Sequence, residues 1–224
     1  VKLGSRRWSV VLATVVLAGV VVGLGVANPV PAARISTDRL GPDSGEQVSE
    51  YLDRAHRTLE ADPDADPEAE HWALVSLDTP IAPTQLVEVA GDLRIAQVLF
   101  RVPLDRVQTP LETVPVAANP TAVLRAPTVA AARQQASVVG DDRQSRVMAY
   151  SAAQLAEGCA CVVAATVRGS LEQLQNLAGR PGVRAVEALP ADAVAGAFAV
   201  SPLLPTQTSS VLPGPDDGPV PEMG

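Results

Sequence analysis

Residues 170–192 read SLEQLQNLAGRPGVRAVEALPAD, a helix, a turn and a strand in twenty-three residues. Ser170 followed three positions later by Gln173 is a capping box, in which each side chain satisfies a backbone donor left free at a helix start. Leu171, Leu174, Leu177 and Ala178 recur at helical spacing and form one apolar stripe. Gly179 is expected to end the helix in the left-handed conformation, and Arg180-Pro181-Gly182 to turn the chain. VRAVEAL (183–189) then reads as a strand, and CVVAATV (161–167) upstream as a buried, β-branched one. Together they make a β-α-β unit of minimal length.

The unit has an echo. QLVEVAG (85–91) and QLQNLAG (173–179) share Gln, Leu, Ala and Gly in register, and Val98 and Val186 each follow seven residues after the glycine. HWALVSL (71–77) reads as a strand, and PTQLVEVA (83–90) as a short helix with Pro83 in the first turn, where no donor is lost. RIAQVLFRV (94–102) alternates, with Ala96, Val98, Phe100 and Val102 on one face and Gln97 and Arg101 on the other. Two such units predict an α+β domain over 71–200, a ferredoxin-like βαββαβ sandwich. An insertion at 103–160 splits it. Its prolines up to Pro127 argue against helix or central strand, and TVAAARQQASVV (128–139) and RQSRVMAYSAAQLAE (143–157) suggest two helices.

Outside the domain, residues 28–70 read as a juxtamembrane linker, an amphipathic helix and an acidic spacer. The helix places Val48, Tyr51, Leu52, Ala55 and Leu59 on one face, with Ser44 and Gln47 as its expected capping box. In EADPDADPEAE (60–70), Asp62, Asp64 and Asp66 resemble a calcium-loop opening. Pro67 replaces the required glycine, however, and Ala73 the closing glutamate, so a solvated, self-repelling spacer is expected. DAVAGAFAV (192–200) is apolar enough to pack on the sheet, and the Pro-rich residues 201–224 are expected to be a disordered tail.

The first 27 residues contain Lys2, Arg6 and Arg7, no acid, and an apolar run from Trp8 to Ala27. As a helix that run spans about 30 Å, the hydrocarbon thickness of a bilayer. The basic residues before it predict a cytoplasmic N-terminus and an extracytoplasmic domain, attached to the membrane by one transmembrane helix. A cleaved signal peptide is the alternative, with small residues at Gly25-Val26-Ala27 and Val30-Pro31-Ala32. After residue 27 the chain has 14 basic against 25 acidic side chains, a net of −11. That argues against nucleic acid as a partner.

Two resemblances follow from these motifs. SLEQLQNLAGRPGVRAVEALPAD is similar to the last helix and strand of subtilisin-type protease prosegments and their stand-alone inhibitor relatives, which share the ferredoxin-like fold. The likeness covers about 30 residues and implies inhibition or assisted folding of an exported protease. It would make Leu189, Pro190, Ala191 and Asp192 the inhibitory segment. The split domain and the chain beyond residue 192 depart from that pattern. The whole layout, with TDRLGPDSGE at 37–46, resembles single-pass membrane-anchored proteins of actinobacteria, a likeness that implies no activity.

Few side chains carry chemistry. Cys159 and Cys161 are the only cysteines, and outside the cytoplasm such a pair is expected to oxidise. In an extended strand their Cα atoms would stand near the limit of about 7 Å for a bridge, so a local disulfide needs a turn, which Gly158 permits. Free or intermolecular thiols, and a redox or copper site, are the alternatives. His56 and His71 read as surface residues, and no GxSxG, phosphate-loop or dinucleotide motif occurs. The sequence therefore predicts a non-enzymatic, cofactor-free binding or scaffolding module of the bacterial cell envelope whose partner is an unidentified envelope protein. A prosegment-like inhibitor is the alternative.

Overall fold

The computed structural model describes Leu17, residues 38–60 and residues 66–222. The chain divides into two units, Val1–Ile35 and Ser36–Gly224. Apart from Leu17, the expected membrane span lies outside the described residues, as do spacer residues 61–65. Among the described residues no helix is long and apolar enough to cross a membrane.

The described chain folds into mixed α+β structure. Its elements in order are β1 (Arg39–Leu40), α1 (Val48–Arg57), β2 (Glu70–Ile81), α2 (Pro83–Ala90), β3 (Arg94–Phe100), β4 (Glu112–Pro115), α3 (Pro120–Ala136), α4 (Arg143–Ala156), β5 (Val162–Ser170), α5 (Leu171–Ala178), β6 (Val183–Ala188) and β7 (Ala199–Val200). At the start of α5, Ser170 N–H donates to Gln173 Oε1 at 2.9 Å while the Ser170 hydroxyl accepts from Gln173 N–H. Gly179 departs from expectation. Its φ is −82°, right-handed, and the positive φ falls instead on Gly182 at the turn. The echo holds where packing requires it: Leu86, Leu174, Val98 and Val186 are all buried in one core.

Five strands form one sheet in the order β4-β3-β5-β2-β6, with every neighbouring pair antiparallel. If β2, β3, β5 and β6 are counted first to fourth, their spatial order is second, third, first, fourth. A register shift between Ile95 and Gln97 alters the expected alternation of β3. Ile95 joins Val98, Phe100 and Val102 in the main core, and Ala96 turns with Leu99 to the opposite face. A bulge of this kind moves every side chain beyond it to the other face.

One face of the sheet is covered by α2, α3 and α5, with Leu155 from α4 completing the core. The insertion differs from the sequence reading in two respects. It contributes β4, an edge strand with Pro115 at its end, as a strand proline requires. Helix α3 also begins eight residues earlier than expected. Asn119 Oδ1 caps it by accepting from Ala122 N–H at 2.9 Å, Pro120 occupies the first turn, and Pro127 sits inside the helix. An interior proline costs about 3 kcal/mol of helix propensity. Burial of its ring beside Val123, Ala126 and Ala130 offsets part of that.

The other face is covered by α1, the β1 segment and the C-terminal chain. Leu40, Trp72, Leu74, Leu99, Val163, Ala164 and Leu189 form one cluster, and Val48, Tyr51, Ala55, Ala185 and Leu203 another. β1 pairs with β7 in parallel. The disordered tail expected from 201 is therefore corrected over its described length, to residue 222. Leu203 is fully buried and its N–H donates to Ser76 Oγ at 3.2 Å. Arg184 donates to Leu204 O at 2.8 Å, and Val48 N–H to Ser209 O at 2.9 Å. The last bond also explains why Ser44 does not cap α1. Gln47 is the N-cap residue without a side-chain bond, and a tail carbonyl takes a free amide instead. Proline is tolerated in such a segment because its docking bonds are scattered, with donors on Ser201, Leu203, Val211 and Gly218, and form no continuous ladder.

Candidate functional site

The pocket with the most distinctive chemistry opens on this second face, where the chain leaves β3. Arg101 still donates its backbone N–H to Cys161 O at 2.8 Å. Strand alternation sends Phe100 and Val102 into the main core and Arg101 the opposite way. Pro103 then ends the strand. The following loop is closed by Thr109, whose hydroxyl donates to Val102 O at 2.6 Å, and by Val107 N–H on Leu104 O at 3.3 Å. Arg106 has φ +52°, the one positive φ on a non-glycine among the described residues. Tail residues Leu204–Thr206 and Gly214–Pro215 close the opposite wall, leaving a cavity of about 220 Å³.

The apolar wall is built by Leu104, Val107, Val163, Leu204, Pro205 and Pro215, and the polar side chains of the lining are Arg101, Arg106, Gln108, Thr109 and Thr206. Arg101 Nη2 donates to Gln108 Oε1 at 3.4 Å, and no carboxylate among the described residues pairs with the guanidinium. Burial pushes its pKa below the ordinary arginine value. Arginine nevertheless remains a cation in proteins. The neighbouring Arg106 is different, being exposed and paired with Asp217. Arg101 is thus an uncompensated positive charge among apolar walls, and its planar fork matches a carboxylate.

The tail is fastened beside this cavity. Asp216 Oδ1 accepts from Gln108 N–H at 2.9 Å and from Arg143 Nη2 at 3.1 Å, and Gly218 N–H donates to Arg106 O at 2.7 Å. These contacts to Gln108 and to Arg143, with Gly218 as acceptor too, hold Asp216 and its neighbours in place. A Cβ on Gly218 would lie 2.3 Å from Asp105 O, so only glycine allows the approach. Next to Arg101, Cys159 and Cys161 are joined by a disulfide with their Cα atoms 5.3 Å apart. Gly158, at φ +81°, makes the turn. Cys161 is buried in the main core and Cys159 packs against it.

A second polar cluster lies between β6, α1 and Gly41. Glu187 accepts from Gly41 N–H and pairs with Arg54, which also donates to Glu46 Oε2 at 3.0 Å. Burial raises the Glu187 pKa above the usual carboxylate range, although Gly41, Arg54 and Tyr51 each act to lower it. Burial likewise raises the Tyr51 pKa, with the charge of Glu187 adding to the effect. Tyr51 Oη is buried close to Glu187 and Ser76. This cluster ties the chain before α1 to the last strand of the sheet.

The other expected site residues lie apart from the pocket. Leu189 is buried, its N–H donating to Trp72 O at 2.8 Å and its carbonyl 2.8 Å from His71 Nδ1. Pro190, Ala191 and Asp192 are exposed in a turn closed by Ala193 N–H on Pro190 O at 3.0 Å. His56 is exposed on α1. Among the described residues no cluster of His, Cys, Asp or Glu could hold a metal ion. Sequence reasoning had Arg101 only as the polar side of a strand and did not single out Glu187. Each is a lone charge in a short apolar run, LFRVP and AVEAL, and that was the available signal. Comparison with known proteins finds no matching protein-family model, no matching curated protein and no matching solved structure.

Proposed function

We propose that this chain is a non-catalytic binding module of the bacterial cell envelope, held at the membrane by the Trp8–Ala27 run with its domain outside. The domain is read as a ferredoxin-like sandwich split by an insertion. The antiparallel order β3-β5-β2-β6 supports that reading. The Cys159–Cys161 disulfide supports an oxidising compartment. The observation that carries the function is the Arg101 pocket, an unpaired guanidinium in an apolar cavity, which is equipped to hold a ligand. The inhibitor reading is less favoured, because it needs Leu189–Asp192 extended in a protease cleft. Here Leu189 is buried and bonded to Trp72, and the next residues turn.

A photo-crosslinking side chain at Leu104, in the pocket wall, tests this in intact cells against the same group at Val139, which is 79% exposed and lies outside the pocket. The reading expects a discrete adduct from position 104 and none from 139, together with loss of the domain when sealed cells are shaved with protease. Equal labelling from both positions, or a domain protected in sealed cells, would count against it.

A further inference from the structure

We propose that the Arg101 pocket binds a free, short-chain monocarboxylic acid, its carboxylate on the guanidinium and its hydrocarbon part against Leu104, Val107, Val163 and Leu204. This deepens the binding-module reading and rests on it. Three observations select the ligand class. The pocket presents one uncompensated cation, because Arg106 is already neutralised by Asp217, so a single negative charge is matched and a phosphate dianion is not. Beyond Arg101, Arg106, Gln108, Thr109 and Thr206, the rest of its side-chain lining is aliphatic or proline, which favours a hydrocarbon body over a sugar or a nucleotide. At about 220 Å³ it is smaller than the roughly 300–1,000 Å³ of drug-sized ligand sites, which fits the body of a short acid.

The overall charge sharpens the choice. With a net of −11 after residue 27, the domain repels anions at long range. An anion is retained where a cation lies close by and partly withdrawn from water, and Arg101 is half-buried at the cavity wall. Gln108 Oε1, which accepts from Arg101 Nη2, orients the fork.

The test is calorimetric titration of the full chain in detergent with hexanoate, with hexanamide (the same tail, uncharged) and with acetate (the same charge, no tail). Hexanoate is expected to bind about ten-fold or more tighter than either, the range of a charge-assisted hydrogen bond. Arg101→Gln should reduce hexanoate to the hexanamide level, while Arg57→Gln, at an exposed cation on α1 outside the pocket, changes it less than about two-fold. If Arg101→Gln fails to fold, the wild-type ratio of hexanoate to hexanamide decides the question alone. Equal affinity for hexanoate and hexanamide, no hexanoate binding at millimolar concentration, or an equal loss in both arginine variants would overturn the proposal. A hexanoate failure with the Leu104 crosslink intact removes the ligand class only, whereas loss of both removes the binding reading as well.

Discussion

Glu187 is 3% exposed in a strand otherwise made of valine, alanine and one arginine, and its carboxylate is shared between Gly41 N–H and Arg54. Burial is the largest influence on it, and its pKa in the folded chain lies above that in the unfolded one. The folded state therefore holds this proton more tightly. The stability it contributes is complete below the unfolded value of about 4.3 and is lost as pH rises through the folded value. Asp142 and Asp216, held low by hydrogen bonds from Ser145 and Gln108, act in the opposite sense and lose their contribution in acid. Both are common to wild type and to Glu187→Gln. The stability of wild type relative to Glu187→Gln should thus decline as pH rises above about 4 in urea titrations. Parallel pH curves for the two proteins would show that Glu187 titrates normally. The residue identities were visible in the sequence, but the environment of Glu187 was not, because Gly41 lies 146 positions away along the chain.

Helices α2 and α5 and the strands before and after them were legible from capping, period and turn residues, all interactions within a few positions. Legibility failed where a partner was remote. Helix α1 lacks the capping box its sequence offers, since tail atoms meet its first amides. The β1–β7 pair is two residues on each side, too short for any alternation to announce it. That pair yields a sharp prediction. Gly41 has φ +112°, and a Cβ there would lie 1.6 Å from Ser201 O, a backbone atom that cannot move aside without parting β1 from β7. Gly41→Ala should cost about 2–4 kcal/mol, lowering Tm by several degrees. Gly45→Ala makes the control, because Gly45 also has positive φ but open space around it. It should cost only about 1–2 kcal/mol, the penalty of the left-handed backbone alone. Similar losses in the two variants would mean that the close approach at Ser201 carries no weight.

At the scale of the molecule, the C-terminal chain is the piece that completes both the second face of the sheet and the Arg101 pocket. Removing residues 213–224 deletes Gly214 and Pro215 from the pocket wall and the partners of Arg106, Gln108 and Arg143. Surface ion pairs of this kind contribute at most about 1 kcal/mol each, so the truncated chain should stay folded. Its 103–109 loop should open more often, and trypsin should cut after Arg106 about ten-fold faster. An unchanged cleavage rate would show that the tail does not restrain the loop. By itself the sequence determined the local elements, the repeated β-α-β pattern and the single cysteine pair, because hydrophobic period, caps and turns act over neighbours the chain always keeps close. Only tertiary structure decided that a proline-rich end would be docked and that Arg101 would be left without a carboxylate. Both depend on residues about a hundred positions apart meeting in space, as Gln108 meets Asp216 across 108. No local pattern encodes which distant groups become neighbours.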